Sequence, residues 1–183
     1  MSVRGTGQHL ALDEPEDIQM LNRMQAELTS ALNDRLRSGL TISFISKSLG
    51  HRPAFMSRIL DTHASSWKYN DWLELSAGAL CVTRLGFLGL PDDVNSPLWD
   101  LSRVKPEFRG VGAMDLLKKV RVARGSTLRS LSAEKGVVYS AIRHVEESDN
   151  PKLGTICRHA RWVGVRANMR VVRTWRGEME AWK

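Results

Sequence analysis

The chain has little cysteine: two in 183 residues, Cys81 and Cys157, too few for a disulfide framework. Both lie in apolar, helix-like surroundings and read as buried free thiols. No apolar run reaches the roughly eighteen residues of a membrane-spanning helix, and Met1 to Leu10 has no signal-peptide pattern. A soluble, cytoplasmic protein without a membrane partner is therefore expected. The phosphate-cradling loop GxxxxGK(S/T) and a strand-led GxGxxG are both missing. His51, His144, Cys157 and His159 are scattered, with neither CxxC nor HExxH spacing, so no metal or cofactor is expected. Nothing assembles into a catalytic set, and the chain does not read as an enzyme. Acidic residues are also short, 20 Asp and Glu against 27 Lys and Arg, for a formal charge of +7 and a pI near 9.8. That balance favours a polyanionic partner, although ribosomal and membrane-surface proteins share it.

What the chain does have is a stretch from Ser126 to Glu146, STLRSLSAEKGVVYSAIRHVE, that reads as two short helices hinged at Gly136. Leu128, Leu131, Val137, Ile142 and Val145 give each helix one apolar stripe, and the glycine supplies a left-handed cap. Such a pair is a helix-turn-helix. Its second helix, about 138–146, turns Tyr139, Ser140, Arg143 and His144 outward. Those positions would face base edges if the helix lay in a DNA major groove.

The stretch and its flanks resemble the λ-repressor/Cro-like family of helix-turn-helix DNA-binding domains. Leu116 to Ser132, LLKKVRVARGSTLRSLS, is similar to the family's first helix, glycine turn and second helix. Glu146 to Val165 is similar to its loop and fourth helix, with Ile156, Ala160 and Val163 facing the core. The resemblance implies a salt bridge between Arg121, four residues before the turn glycine, and Glu146, which ends the recognition helix. It also implies a bacterial, phage or mobile-element regulator, more often a repressor. Many such regulators carry a self-cleaving domain with a serine–lysine pair, for which the rest of this chain leaves no room.

The motif occurs twice. Thr41 to Leu60, TISFISKSLGHRPAFMSRIL, moved forward by 86 positions lies on the first motif without a gap. Thr41 falls on Thr127, Ile42 on Leu128, Ile45 on Leu131, Ser46 on Ser132, Gly50 on Gly136, Met56 on Ile142 and Ile59 on Val145. Gly39 falls on Gly125, and Pro53 suits the first turn of the second helix. Where the second copy would bridge Arg121 to Glu146, the first has Arg35 and Leu60, so that bridge is absent. Outward residues of the first copy are Arg52, Ala54, Phe55, Ser57 and Arg58, so the two helices would read different bases. Between Ala31 and Asn70, six basic residues face only Asp34 and Asp61, which favours phosphate contact. A first copy that has lost DNA contact and serves packing or dimerisation is the blander reading.

Around these motifs the chain divides into a mobile N terminus (1–15), a first domain (16–89), a linker (90–112) and a second domain with a C-terminal tail (113–183). A long helix from Glu16 to Ser38 should end at Gly39, and Tyr69 to Leu80 should supply a fourth helix, with Trp67 and Trp72 in the core. Leu90 to Gly112 holds three of the six prolines and no sustained period. The arginine-rich tail from Val165 is open between a closing helix, a strand and a phosphate-contacting arm. Charge divides unevenly: from Leu101 onward eighteen basic residues face eight acidic ones, against nine and twelve in the first hundred.

The expectation is thus an all-α protein of two tandem λ-repressor-like domains, binding double-stranded DNA as a transcriptional regulator. Lys118, Lys119, Asn150 and Lys152, on the first helix and the loop after the recognition helix, would hold phosphates, while the two outward sets read bases. The alternative is a protein-interaction regulator, an antitoxin or antiactivator, in which one copy grips a protein. Self-association is open in either case. In the cell, the DNA reading places the protein at the nucleoid.

Overall fold

The structure is a computed structural model and describes residues 14–91, 99–100 and 109–173. Pro15 opens α1 (Pro15–Arg37) at the position where a missing N–H costs nothing, with Glu16 and Asp17 in the first turn and Arg35 and Arg37 in the last. Its stripe of Leu21, Met24, Leu28, Ala31 and Leu32 is buried, and the chain leaves it through Gly39 at φ +95°. The first helix-turn-helix follows as α2 (Ile42–Ser48) and α3 (Phe55–Leu60), then a 3-10 turn (Ala64–Ser66) and α4 (Tyr69–Gly78). The second half repeats that order as α5 (Arg109–Ala123), α6 (Leu128–Lys135), α7 (Tyr139–Glu146) and α8 (Leu153–Trp162). Trp67 and Trp72 are buried in the core.

The fold is not all-α. Each half ends in a strand, β1 (Cys81–Leu88) and β3 (Arg166–Arg173), and these pair antiparallel over eight consecutive residues. A two-residue strand β2 (Trp99–Asp100) adds to the other edge of β1, giving the order β2-β1-β3. The strands form because their apolar residues alternate: Thr83, Leu85 and Phe87 of β1, with Ala167, Met169 and Val171 of β3, are buried on one face. Arg84, Arg166 and Arg170 alternate with them. Of the three readings of the tail, residues 166–173 take the strand. Residues 174–183, like 1–13 at the expected mobile N terminus, lie outside the described part. Within the expected linker, β2 and the first turn of α5 are ordered elements; 92–98 and 101–108 are not described.

The offset of 86 seen in the sequence holds in the backbone hydrogen bonds. His51 N donates to Ser46 O at 3.0 Å and Val137 N to Ser132 O at 3.2 Å; Leu40 N donates to Arg35 O and Ser126 N to Arg121 O. Past the 3-10 turn the offset becomes 84, placing Tyr69 on Leu153 and the cap Ala79 on Val163. Leu80, the only non-glycine residue described with positive φ (+55°), then falls on Gly164 at +81°.

With that offset, equivalent residues meet at two places. Lys68 and Lys152 form an antiparallel bridge, flanked by Tyr69 N to Pro151 O and Leu153 N to Trp67 O, both 2.9 Å, two bonds that exchange when the halves are exchanged. Leu85 pairs with Met169 in the sheet. A rotation that swaps the halves leaves both places where they are, so a pseudo-twofold axis runs through them. The buried apolar residues of both halves form one continuous cluster.

Helix α1 breaks the symmetry by covering the outer edge of β3. Met169 N donates to the Met20 thioether at 3.2 Å, which removes an open pairing edge. Arg166 binds Glu16 at 2.7 Å near one end, and Arg173 binds Asp34 (2.5 Å) and Ser30 (2.6 Å) near the other. The lengths agree: from Glu16 to Asp34 the helix rises about 27 Å, and from Arg166 to Arg173 the strand runs about 23 Å. Arg161 of α8 adds Asp17 (2.8 Å) and Glu14 (3.2 Å), so the first helix is bound to the second half along its length.

Candidate nucleic-acid interface

In the second half, local chemistry fixes both helices of the motif. Thr127 accepts from Ser130 N at 3.0 Å while the Ser130 hydroxyl accepts from Thr127 N at 2.9 Å, a reciprocal cap that starts α6. Gly136 ends it in the left-handed region at φ +62°, and the Ser132 hydroxyl donates to Val137 O at 2.6 Å across the turn. Leu131, Val137 and Ile142 are buried beneath. What remains outside on α7 and its cap is Val138, Tyr139, Ser140, Ala141, Arg143 and His144, all exposed; Val138 is 70% and Tyr139 41% accessible. Apolar groups that stay uncovered in this way, beside polar hydrogen-bonding ones, suit a surface that docks on something.

The far end of α7 is anchored by a buried charge cluster. Arg121 grips Glu146 with two bonds, Nε to Oε1 at 2.7 Å and Nη2 to Oε2 at 2.9 Å, and its Nη1 donates to Ser126 O at 2.8 Å. His159 of α8, fully buried, approaches Glu146 Oε1 with Nε2 at 3.2 Å. A carboxylate only accepts, so Nε2 carries the proton and donates. Burial alone would raise the Glu146 pKa, but the hydrogen bonds and charges of His159 and Arg121 outweigh it and pull it down to about 2. One carboxylate thus ties α5, α7 and α8 together. His159 had drawn notice in the sequence only as a stray metal ligand; its lying on the buried face of α8 was the available signal.

Beside this anchor, an open groove of about 570 Å³ runs from the turn between α5 and α6, at Ser126 and Thr127, past Arg129 to Tyr139. Of these, only Tyr139 is a contact residue expected from the sequence. Lys118 and Lys119 stand exposed on α5. Asn150 and Lys152 lie elsewhere, on the junction of the halves: Asn150 Oδ1 accepts from Asn70 N at 2.9 Å, and Lys152, exposed, bridges to Lys68.

The first half presents a different surface. Helix α3 starts at Phe55, so Pro53 precedes the helix instead of sitting in its first turn, and Arg52 and Ala54 are exposed residues of the turn. Phe55 is half-buried and stacked on His51, ring centroids 3.8 Å apart, while His51 lies 3.5 Å from Glu74. Ser57 is half-buried with its hydroxyl on Ala54 O; Arg58 is exposed. The anchor of the second half has no counterpart: Leu60 stands for Glu146 and Leu75 for His159, and Arg35 turns to donate to Gly78 O at 2.5 Å.

Neither cysteine forms a disulfide; Cys157 is buried, and burial pushes the half-buried Cys81 thiol up to about 11. Among the described residues no cluster of three or more potential metal ligands occurs, and no helix is long and apolar enough to cross a membrane. Compared with protein-family models, curated proteins and solved structures, the chain finds no match.

Proposed function

We propose that the protein is a sequence-specific DNA-binding transcriptional regulator whose principal reading element is α7. The observation that carries this reading is the exposed surface of that helix: Arg143, His144 and Ser140 supply hydrogen-bonding groups, Val138 and Ala141 supply apolar ones, and Ile142 and Glu146 hold the opposite side in the core. Major-groove recognition needs that combination, an arginine for guanine and small apolar groups for thymine methyls. Lys118, Lys119 and Arg129, exposed on the preceding helices, fit phosphate contacts. Regulation would follow from occupying promoter DNA.

The test is retention of genomic fragments at physiological salt by the whole chain and by Arg143→Ala. A few fragments held by the wild type and lost by the variant support the reading; uniform retention that salt abolishes would sink it. The protein-interaction reading draws on the first half, where α3 has six residues and Phe44 of α2 is 57% exposed. In that case no fragment is retained.

A further inference from the structure

The two helix-turn-helix units are related by a rotation and held in one frame. We propose that a single chain reads two unlike half-sites in inverted orientation at one fixed spacing, doing within one molecule what a symmetric dimer does with two. This rests on the DNA-binding reading above and adds the arrangement of the site.

Orientation follows from the axis. Lys68 meets Lys152 and Leu85 meets Met169, each pair joining equivalent positions, so the exchange of halves is a twofold rotation. Units stacked by translation would present their recognition helices in the same sense and need a direct repeat. Units exchanged by a twofold present them in opposite senses, and B-DNA has matching local twofolds, which is why operator symmetry mirrors protein symmetry. The half-sites must therefore be inverted.

Fixed spacing follows from how the halves are joined. A flexible tether of about twenty residues would tolerate many separations. Here eight paired residues, one continuous core and the ion pairs Arg166–Glu16, Arg173–Asp34 and Arg161–Asp17 cross between the halves. Changing the separation of the recognition helices would break the sheet.

Unlike half-sites follow from the side chains. The first unit offers Arg52, Ala54 and Arg58, with Phe55 withdrawn against His51; the second offers Val138, Tyr139, Ser140, Arg143 and His144. A twofold frame carrying two different readers calls for a site symmetric in orientation and asymmetric in sequence, filled by one chain. The axis itself needs no second copy, because both of its partners already lie in the same molecule.

The experiment starts from the fragments retained at physiological salt, with their footprints mapped to define two half-sites. Duplexes then carry these half-sites as found, with one half reversed to make a direct repeat, or with about five base pairs inserted, half a helical turn. Binding of the full chain is measured together with the mass of each complex. The expected result is one chain per duplex on the original site, and a loss of about a hundredfold both for the direct repeat and for the insertion, down to the affinity of a single half-site. Equal binding to the direct repeat, tolerance of the insertion, or two chains on a palindrome would overturn the proposal while leaving DNA reading intact. Retention of no fragment at all removes the reading and the proposal together.

Discussion

Leu85 of β1 lies directly opposite Met169 of β3, and the two are equivalent positions of the repeated halves. Both are buried, in a core cluster that draws on every helix of the two units and, through Ala64, on the 3-10 turn. Because the contact is shared, neither half can lose it alone. The chain should therefore unfold in one transition, seen at the same midpoint by tryptophan fluorescence and by far-ultraviolet circular dichroism. Leu85→Ala, which removes buried methyl groups at the axis, should lower stability by about 2–5 kcal/mol without splitting that transition. Two separate midpoints in the wild type would show that the halves are independent after all.

Arg121, Glu146 and His159 make a second measurable link. The Glu146 pKa is held at about 2 against an ordinary 4.5, so its folded-state value is depressed. A depressed carboxyl contributes stability above its unfolded pKa and loses it as pH falls toward the folded one. The contribution is then complete above about pH 5 and lost between about 4.5 and 2, and amounts to about 3 kcal/mol. Glu146→Gln should be less stable than the wild type at pH 7, since it leaves Arg121 buried without its countercharge. The gap should narrow as the wild type is acidified. Parallel urea titrations from pH 7 to 3 check this; a gap independent of pH would mean that the carboxylate charge is not what anchors α7.

How much of this was legible beforehand depends on the distance over which each signal acts. The helix-turn-helix pairs were readable because their determinants are local: Gly50 and Gly136 turn, and the apolar residues recur at helical spacing. The strands were not, and the all-α expectation failed on them. Cys81–Leu88 and Arg166–Arg173 alternate, but each finds its partner some 85 residues away, with no hairpin turn to announce the pairing. The start of α3 was misjudged because Pro53 tolerates a first helical turn without enforcing one; no side chain caps that end, and the helix begins two residues later. At the anchor, the resemblance pointed to Arg121 and Glu146 and not to His159, which reaches them from α8.

Gly78 offers a test of how closely α4 packs on the first unit. A Cβ there would lie 2.7 Å from Met56 Cε, 3.1 Å from Ile45 Cγ2 and 3.2 Å from Leu49 Cδ1. Helix propensity favours alanine over glycine by about 1 kcal/mol, whereas overpacking a filled core costs about 1–3 kcal/mol. Three simultaneous contacts, two of them with branched side chains, should let the second effect win. Gly78→Ala is expected to destabilise the chain by about 1 kcal/mol; a rise in melting temperature would show that Met56 and its neighbours give way freely.

The two arginines that stand outward on the recognition helices should separate their roles. Arg143 pairs with Glu147 at 2.7 Å, but both are 59% exposed, and an exposed pair of this kind resists little when a stronger acceptor arrives. Arg143→Ala should cost about 1–3 kcal/mol of affinity for the selected site and much less for random DNA, as expected of a base contact. Lys118→Ala and Lys119→Ala, with charge and no base-facing position, should weaken both kinds of DNA alike and lower the salt dependence. Arg58 decides the standing of the first unit. It is exposed on α3, yet that helix lacks the buried anchor that fixes α7. If the first unit reads bases, Arg58→Ala should behave like Arg143→Ala, with the loss confined to one half of the footprint. Should Arg58→Ala instead leave specific affinity unchanged while Arg143→Ala abolishes it, α3 serves the frame and only the second unit reads. Fluorescence anisotropy on the selected duplex and on a scrambled one, each at two salt concentrations, distinguishes these outcomes.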